Sequence, residues 1–203
     1  FVGREMLAID LLSASSDPSE AILWRRSILG SNQTTSTPIP LRSRVSTTPW
    51  GTRRYNAIDS TGNRIGLSGS ISLLGIVFQN QEDLYCVDPL TGETIWVRNG
   101  IPVGSEIFTE NEKIIVISPK TKVAYQFSLI DGSLVEKRDD VSIMERWKVS
   151  GFHALVYRIE GTNITLGLQN VATDEMVWQH SYPTGIRGQL MRDQLAIMQP
   201  TGK

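Results

Sequence analysis

The chain has 203 residues, of which 40% are hydrophobic and 20% charged, and its net charge is −1, values that are ordinary for a globular domain. No stretch approaches the roughly eighteen consecutive apolar residues that a membrane-spanning helix needs. A single cysteine, Cys86, excludes an internal disulfide and a cysteine-based structural zinc site, and we expect it to pack as a small apolar residue.

Residues 1–28 hold two candidate strands, 6–10 and 21–24, on either side of a loop rich in Ser, Asp and Pro. Small polar residues and proline favour an exposed turn over a helix. We interpret this segment as a partial blade, the end of a repeat whose later copies are clearer.

Residues 29–65 are predicted to be an irregular basic insertion, because they are rich in Ser, Thr and Pro and show little alternation of apolar and polar residues. We assign no strands to this segment. Residues 25–64 carry seven arginines and one acidic residue, Asp59. Such an excess of positive charge marks either a solvated loop or a contact for an anionic partner, such as an acidic protein face, a carbohydrate acid or a phospholipid. The candidate contact residues are Arg42, Arg44, Arg53 and Arg54.

The most informative motif is residues 84–96, LYCVDPLTGETIW, in which two short apolar strands flank a tight turn and a tryptophan lies near the end of the second strand. Less complete copies of the motif follow at 123–135 and 164–178. Gly92, Gly132 and Asp174 occupy the same place in the three copies and are 40 and then 42 residues apart. A period of about 40 residues with several strands per repeat is typical of a β-propeller.

We therefore predict an all-β fold, a partial β-propeller of four-stranded antiparallel blades. The whole of 1–203 is interpreted as a single propeller, a fragment of a longer chain, although the two ends could instead complete one blade together and close a ring of four. The predicted full blades are 66–100, 101–141 and 142–184, and the predicted partial blades are 1–28 and 185–203.

Within the repeat, each prominent residue has a predicted structural role. Residues 114–117 lack alternation and should be buried on both faces of their sheet, whereas 123–129 alternate with period two. Gly92 suits a left-handed turn position, and Asp88 can cap nearby backbone N–H groups. We expect the large indole rings to pack between neighbouring blades. The tryptophans concerned are Trp24, Trp96 and Trp178.

The later copies of the motif depart from this pattern at two positions. Glu136 lies where a tryptophan is expected, and Asp174 replaces the turn glycine. We expect these departures to weaken the regularity of the blades rather than to change the fold.

The Asp-x-x-x-Gly-x-x-x-Trp pattern from Asp88 to Trp96 resembles the repeat of the quinoprotein, or pyrroloquinoline-quinone-type, β-propellers, and the resemblance extends over about 1–28 and 66–200. In the enzymes of that family, the resemblance would imply a quinone stacked over a tryptophan, a calcium ion held by carboxylates and an asparagine, an aspartate base and a disulfide between adjacent cysteines. One cysteine cannot form that disulfide, and acidic pairs such as Asp139 with Asp140 are scattered along the chain. We therefore expect no cofactor, no metal site and no catalytic residues.

The sequence is compatible with two functions. The first is a non-catalytic scaffold, binding or sensor module within a larger bacterial protein, for which the resemblance implies a protein partner. The second is part of a quinone-dependent dehydrogenase whose active-site residues come from other blades. Nucleic acid is not expected, since no basic helix or aromatic stacking platform accompanies the arginines. The sequence leaves the cellular location open, and the resemblance slightly favours a periplasmic or extracytoplasmic one.

Overall fold

The computed structural model describes residues 5–12, 19–27, 42–47, 53–58, 68–191 and 194–199, and for 42–47 and 53–58 it describes the backbone alone. Within these ranges the chain is all-β and contains no helix. Three pairs of strands form two-stranded sheets: β1 (Glu5–Ile9) with β2 (Ile22–Ser27), β3 (Arg42–Thr47) with β4 (Arg53–Ile58), and β17 (Arg187–Met191) with β18 (Gln194–Met198). The first and the last of these pairs are antiparallel.

The other twelve strands form three four-stranded sheets in which each strand pairs antiparallel with the next one along the chain. This meander is the unit from which propeller blades are built. The predicted fold class is therefore confirmed. The first sheet contains β5 (Ser68–Ser72), β6 (Gly75–Asn80), β7 (Asp83–Val87) and β8 (Thr94–Arg98). The second contains β9 (Glu106–Glu110), β10 (Lys113–Ser118), β11 (Val123–Ser128) and β12 (Leu134–Arg138). The third contains β13 (Glu145–Ser150), β14 (His153–Glu160), β15 (Asn163–Asn170) and β16 (Glu175–Pro183).

The chain folds as two compact units. Unit 1 comprises Phe1–Arg42 and Ala57–Val141, and unit 2 comprises Ser43–Asn56 and Ser142–Lys203. Unit 1 thus holds β1, β2 and the first two four-stranded sheets, whereas unit 2 holds the third four-stranded sheet and the hairpin of β17 and β18. One propeller spanning 1–203, and the exact blade boundaries, stay predictions.

The segment 29–65, predicted to be an irregular insertion to which the sequence assigned no strands, contains two strands. β3 and β4 lie within it and pair with each other. Their sequences, RSRVST and RRYNAI, are too polar to show an alternating apolar pattern, which is why the pattern failed to reveal them. Val, Thr, Tyr and Ile nevertheless suit an extended backbone, so these two strands form in spite of the missing alternation.

The core of unit 1 lies between sheets that pack face to face. One cluster joins the hairpin β1–β2 to the first four-stranded sheet through Met6, Trp24, Ile76, Phe78 and Val87. A larger cluster joins the first four-stranded sheet to the second. Its buried members are Val77, Leu84, Cys86, Trp96, Ile101, Ile107, Ile114, Val116, Phe127 and Leu129. Strand β6 is covered on both faces as a result, and the predicted burial of 114–117 is confirmed.

Two tryptophans attach each sheet of unit 1 to the next. Trp24 Nε1 donates a hydrogen bond to the carbonyl oxygen of Pro89 at 2.9 Å, and its ring covers Gly92 so closely that a Cβ atom there would lie 2.7 Å from the indole. Trp96 repeats this arrangement one blade later, donating to Leu129 O at 2.8 Å and covering Gly132. We call each such arrangement an indole dock. The predicted inter-blade packing is confirmed for both residues.

An arginine two residues after each of these tryptophans reinforces the indole dock. Arg26 donates to Gly92 O at 2.9 Å and to Thr94 Oγ1 at 2.8 Å, and its guanidinium lies over the ring of Tyr85, 5.3 Å from the centroid. Arg98 donates to the carbonyl oxygens of Gly132 and Asp131 in the same way. The spacing Trp-x-Arg was present in both copies of the sequence and could have revealed this contact.

The third tryptophan differs from the prediction, because Trp178 on β16 is 39% exposed. Trp24 and Trp96 dock on the turn between the third and fourth strands of the following sheet. In the described part of unit 2, β16 is followed only by β17 and β18, which form one hairpin. Leu195 and Ile197 of this hairpin pack against Ile164 and Leu166 of β15.

Asp174 shows how an aspartate replaces the turn glycine. Its backbone adopts the left-handed conformation, φ +63°, which aspartate tolerates better than most residues. Its two carboxylate oxygens accept hydrogen bonds from Gln169 Nε2 at 2.7 Å and from the backbone N–H of Ser142 at 2.8 Å. These bonds offset the conformational cost, so the turn persists without glycine.

Candidate functional site on the turn face of unit 1

One side of unit 1 is formed by the turns that follow the first and third strands of its sheets. In a four-stranded meander, the turns after the first and third strands lie at one end of the sheet, and the turn after the second strand lies at the other. The backbone N–H of Leu129 donates to Glu112 O at 2.8 Å, which ties two such turns of the second sheet together. At the other end, Val141 N donates to Lys122 O at 3.0 Å.

The indole docks place the corresponding turns of neighbouring sheets on the same side. Trp24 lies near the start of β2, close to the β1–β2 turn, and contacts the β7–β8 turn. Trp96 lies near the start of β8, close to the β7–β8 turn, and contacts the β11–β12 turn. We call the surface that these turns share with the β5–β6 and β9–β10 turns the turn face.

The turns are held by aspartates that accept backbone hydrogen bonds. Asp88 Oδ1 accepts from the N–H groups of Leu90 and Thr91, each at 2.8 Å, as the sequence predicted for a capping residue. Asp131 Oδ1 accepts from Ser133 N and Ser133 Oγ at 2.9 and 2.8 Å. The backbone and side-chain hydrogen bonds from Ser133 lower the pKa of Asp131 to about 2, and those from Thr91 and Leu90 lower the pKa of Asp88. Both carboxylates therefore carry a negative charge at neutral pH.

The turn face also carries exposed apolar side chains. Of the twelve large apolar residues that are exposed in the described part of unit 1, six lie in these turns and the other six lie in edge strands within two residues of them. Leu73 and Leu12 are almost fully accessible, at 97% and 93%. The described turns on the opposite side contain none. The twelve residues are Ile9, Leu11, Leu12, Leu23, Ile71, Leu73, Leu74, Leu90, Ile95, Ile130, Leu134 and Val135.

Acidic residues surround these apolar side chains. Among the described residues, seven carboxylates lie in or next to these turns, against the ammonium of Lys113 and the two guanidinium groups that are hydrogen-bonded to turn carbonyls, those of Arg26 and Arg98. The described part of the turn face is therefore apolar at its tips and has a negative formal charge around them. The carboxylates belong to Asp10, Glu20, Asp88, Glu93, Glu110, Glu112 and Asp131.

Sequence reasoning missed this surface. The available signal was the presence of apolar residues inside turns, where polar residues are usual: the pair Leu73-Leu74 between Ser72 and Gly75, and Leu90 beside Pro89. An apolar residue at the tip of a tight turn cannot reach the core of its own sheet, so it must face solvent or a partner.

The four arginines predicted as an anion or partner contact belong to a different sheet. Arg42 and Arg44 are on β3, and Arg53 and Arg54 are on β4, so the topology places all four in one two-stranded sheet. Their side chains lie outside the described residues. A contact role for them stays a prediction.

The titratable residues of the described ranges do not assemble into a metal-binding group of three or more His, Cys, Asp or Glu side chains. Cys86 is buried in the core of unit 1, and burial raises the pKa of its thiol to about 11, so it packs as the predicted small apolar residue. His180 packs against Tyr182 with ring centroids 4.7 Å apart. None of the described elements is a helix long and apolar enough to cross a membrane.

The Asp131 turn leads to a prediction about acid sensitivity. Because the folded-state pKa of Asp131 is about 2 and its ordinary value is 3.8, the ionised carboxylate stabilises the fold above about pH 4, and this stabilisation is lost as the pH falls towards 2. We expect Asp131→Asn to be less stable than the wild type at pH 7 and to approach it at pH 2. Urea unfolding at pH 7, 4 and 2 measures the difference. The same difference at all three values would contradict the assignment.

Comparisons with known proteins give structural similarity only. No protein-family model matches the chain, and no curated protein matches its sequence. Among solved structures, BamB from Moraxella catarrhalis is similar with 16% identity and a TM-score of 0.41, over 72% of this chain and 50% of that one. The chain thus spans about half the length of that protein.

Two other solved structures are similar to a comparable degree. The computationally designed Ika4 protein has 11% identity and a TM-score of 0.41, over 70% of this chain and 88% of its own. The hydrazine synthase of Kuenenia stuttgartiensis has 13% identity and a TM-score of 0.39, over 78% of this chain and 55% of its own. At these identities and TM-scores, we transfer no function from these proteins to the chain, and the β-propeller architecture rests on its own blade-like sheets and indole docks.

Proposed function

We propose that the chain is a non-catalytic, protein-binding β-propeller module within a larger bacterial protein, and that the turn face of unit 1 is its binding surface. The repeat at 84–96, which resembles the quinoprotein type, supports a scaffold or sensor role of this kind. The observation that carries the proposal is the one-sided distribution of exposed apolar residues in the described part of unit 1. Exposed apolar patches that are rimmed by polar residues mark interaction sites.

The turns beneath this surface are held in place, which favours binding. Leu90 lies in a turn that is fixed by Asp88, by the indole of Trp24 and by Arg26. Ile130 lies between Leu129 and Asp131, whose carbonyl oxygens accept hydrogen bonds from Trp96 and Arg98. A surface that is already ordered loses little conformational entropy when a partner binds. These contacts therefore present the apolar tips in a fixed arrangement.

Site-specific photo-crosslinking in the cells that make the protein tests the proposal. A photoreactive phenylalanine derivative replaces Leu90 on the turn face or, as the matched control, Lys120 in the β10–β11 turn on the opposite side. We expect position 90 to give a discrete protein adduct that position 120 does not give. Equal adducts from both positions, or none from position 90, would count against a binding role for the turn face.

The adduct partner, once purified, allows a quantitative second step. We expect the triple variant Leu73→Ser, Leu90→Ser, Ile130→Ser to bind it at least about tenfold more weakly, because buried apolar anchors dominate binding energies. The control is Val149→Ser with Ile159→Ser in unit 2, which changes side chains that are 40% and 55% exposed. Unchanged affinity of the triple variant would contradict the proposal.

The dehydrogenase alternative makes a different prediction. A quinone and a calcium ion that bind the folded chain would raise its melting temperature in proportion to their binding. Under our proposal, saturating pyrroloquinoline quinone with calcium leaves the melting temperature unchanged in differential scanning fluorimetry. A clear rise would favour a cofactor-binding propeller instead.

A further inference from the structure

We infer that the partner segment bound by the turn face is basic and apolar, with leucine-like side chains beside arginine or lysine. This inference rests on the proposed function and adds the chemistry of the partner. It follows from the composition of the turn face, where apolar tips alternate with carboxylates within single turns.

The β7–β8 and β11–β12 turns show this alternation most clearly. In the first, Leu90 is 72% exposed, and Asp88 and Glu93 flank it in the same turn. In the second, Ile130 is 58% exposed and is followed by Asp131. An apolar side chain of a partner that covers either tip therefore comes close to at least one carboxylate. A basic residue next to it on the partner would be paired, whereas an acidic residue would be repelled.

The β9–β10 turn extends the negative region between these two. Glu112 lies in this turn and Glu110 is the last residue of β9 before it, and the hydrogen bond from Leu129 N to Glu112 O holds the turn beside the β11–β12 turn. Lys113 is the first residue of β10, directly after this turn. Among the described residues in and beside the turns, seven carboxylates therefore stand against three cationic side chains, those of Lys113, Arg26 and Arg98.

The same charges argue against other partners for this surface. Anionic lipid headgroups and nucleic acid phosphates would face net negative turns, which disfavours their approach. A partner segment that is apolar but acidic meets the same repulsion. A basic, apolar protein segment satisfies both features of the surface.

Peptide binding to the full chain tests the charge of the partner. The probes are two synthetic peptides of equal length, one alternating arginine and leucine and one alternating glutamate and leucine, and fluorescence anisotropy measures the dissociation constants. We expect the arginine peptide to bind at least about tenfold more tightly, with an advantage that shrinks as salt is raised. Equal affinities, tighter binding of the glutamate peptide, or no binding of the arginine peptide would overturn the inference.

Matched variants locate the binding. Glu93→Lys with Glu112→Lys reverses two carboxylates of the turn face, and Glu82→Lys with Asp139→Lys makes the same change on the opposite side of unit 1. We expect the first pair to weaken binding of the arginine peptide about tenfold and the second pair to change it less than about twofold. Circular-dichroism melts verify that both variants are folded. Equal weakening by both pairs would place the peptide elsewhere and overturn the inference.

Two further results separate this inference from the proposed function. If crosslinking at position 90 identifies a protein partner whose contact segment is acidic, the inference fails and the binding role of the turn face stands. If zwitterionic or anionic phospholipid vesicles bind through Leu73 and Leu90 and the peptides do not, both fail, because the surface is then a membrane contact.

Discussion

Replacing Trp96 with alanine is expected to lower the free energy of unfolding of unit 1 by about 3–5 kcal/mol. The side chain is 8% exposed, belongs to the apolar cluster between the first two four-stranded sheets and donates a hydrogen bond to Leu129 O across them. Its removal leaves a cavity and a buried carbonyl oxygen without its donor. It also removes the cover over Gly132, which lies in the turn that the next sheet contributes.

Trp178→Ala is the matched control, because it deletes the same side chain at a position that is 39% exposed. We expect it to cost about 1 kcal/mol or less. Urea unfolding followed by circular dichroism measures both variants, and an unchanged denaturant dependence would show that stability rather than compactness has changed. A loss for Trp96→Ala no larger than that for Trp178→Ala would show that the indole dock does not stabilise the stack of sheets.

Gly132→Ala is expected to cost about 3 kcal/mol, from two sources that add. The backbone φ is +67°, a conformation that residues with a Cβ atom adopt at a cost, and the new Cβ would lie 2.6 Å from the indole of Trp96. Gly100→Ala isolates the first source, since Gly100 has φ +78° and no atom within 4 Å of the added Cβ. We expect the control to cost about 1 kcal/mol.

The double variant Trp96→Ala with Gly132→Ala separates steric overlap from backbone strain. With the indole removed, Gly132→Ala should cost no more than Gly100→Ala, so the two substitutions should be less than additive. Chemical denaturation of the four proteins of this cycle provides the coupling energy. Full additivity would show that the ring and the glycine do not act on each other.

Much of the fold could be predicted from the sequence because the residues that define each repeat lie close together along the chain and recur at a regular interval. Gly92 and Trp96 lie in one hairpin motif, and its recurrence every 40 or so residues indicated both the turn and the inter-blade packing. The strands β3 and β4 could not be found in this way, since their polar sequences lack the period of two. Trp178 was misjudged because the sequence shows the ring but not whether a turn of a following sheet covers it.

The candidate site was harder to predict than the fold. Leu73, Leu90 and Ile130 are dispersed along the chain, and only the antiparallel meander and the indole docks bring their turns to one side. Positive charge at Arg42, Arg44, Arg53 and Arg54 is conspicuous in the sequence, and it indicated a contact on the segment that forms β3 and β4. Uneven charge is visible in a sequence, whereas a surface assembled from separate turns requires the topology.

The hairpin of β7 and β8 contains both halves of the indole dock. Its turn receives the ring of Trp24 through Pro89 and Gly92, and three residues into its second strand it offers the ring of Trp96 to the next turn. A hairpin whose turn accepts one indole and whose second strand supplies the next can be repeated in tandem without changing the hairpins on either side. The physics of this joint therefore permits a chain to gain or lose whole blades by duplication or deletion of a gene segment, while each surviving junction keeps its geometry.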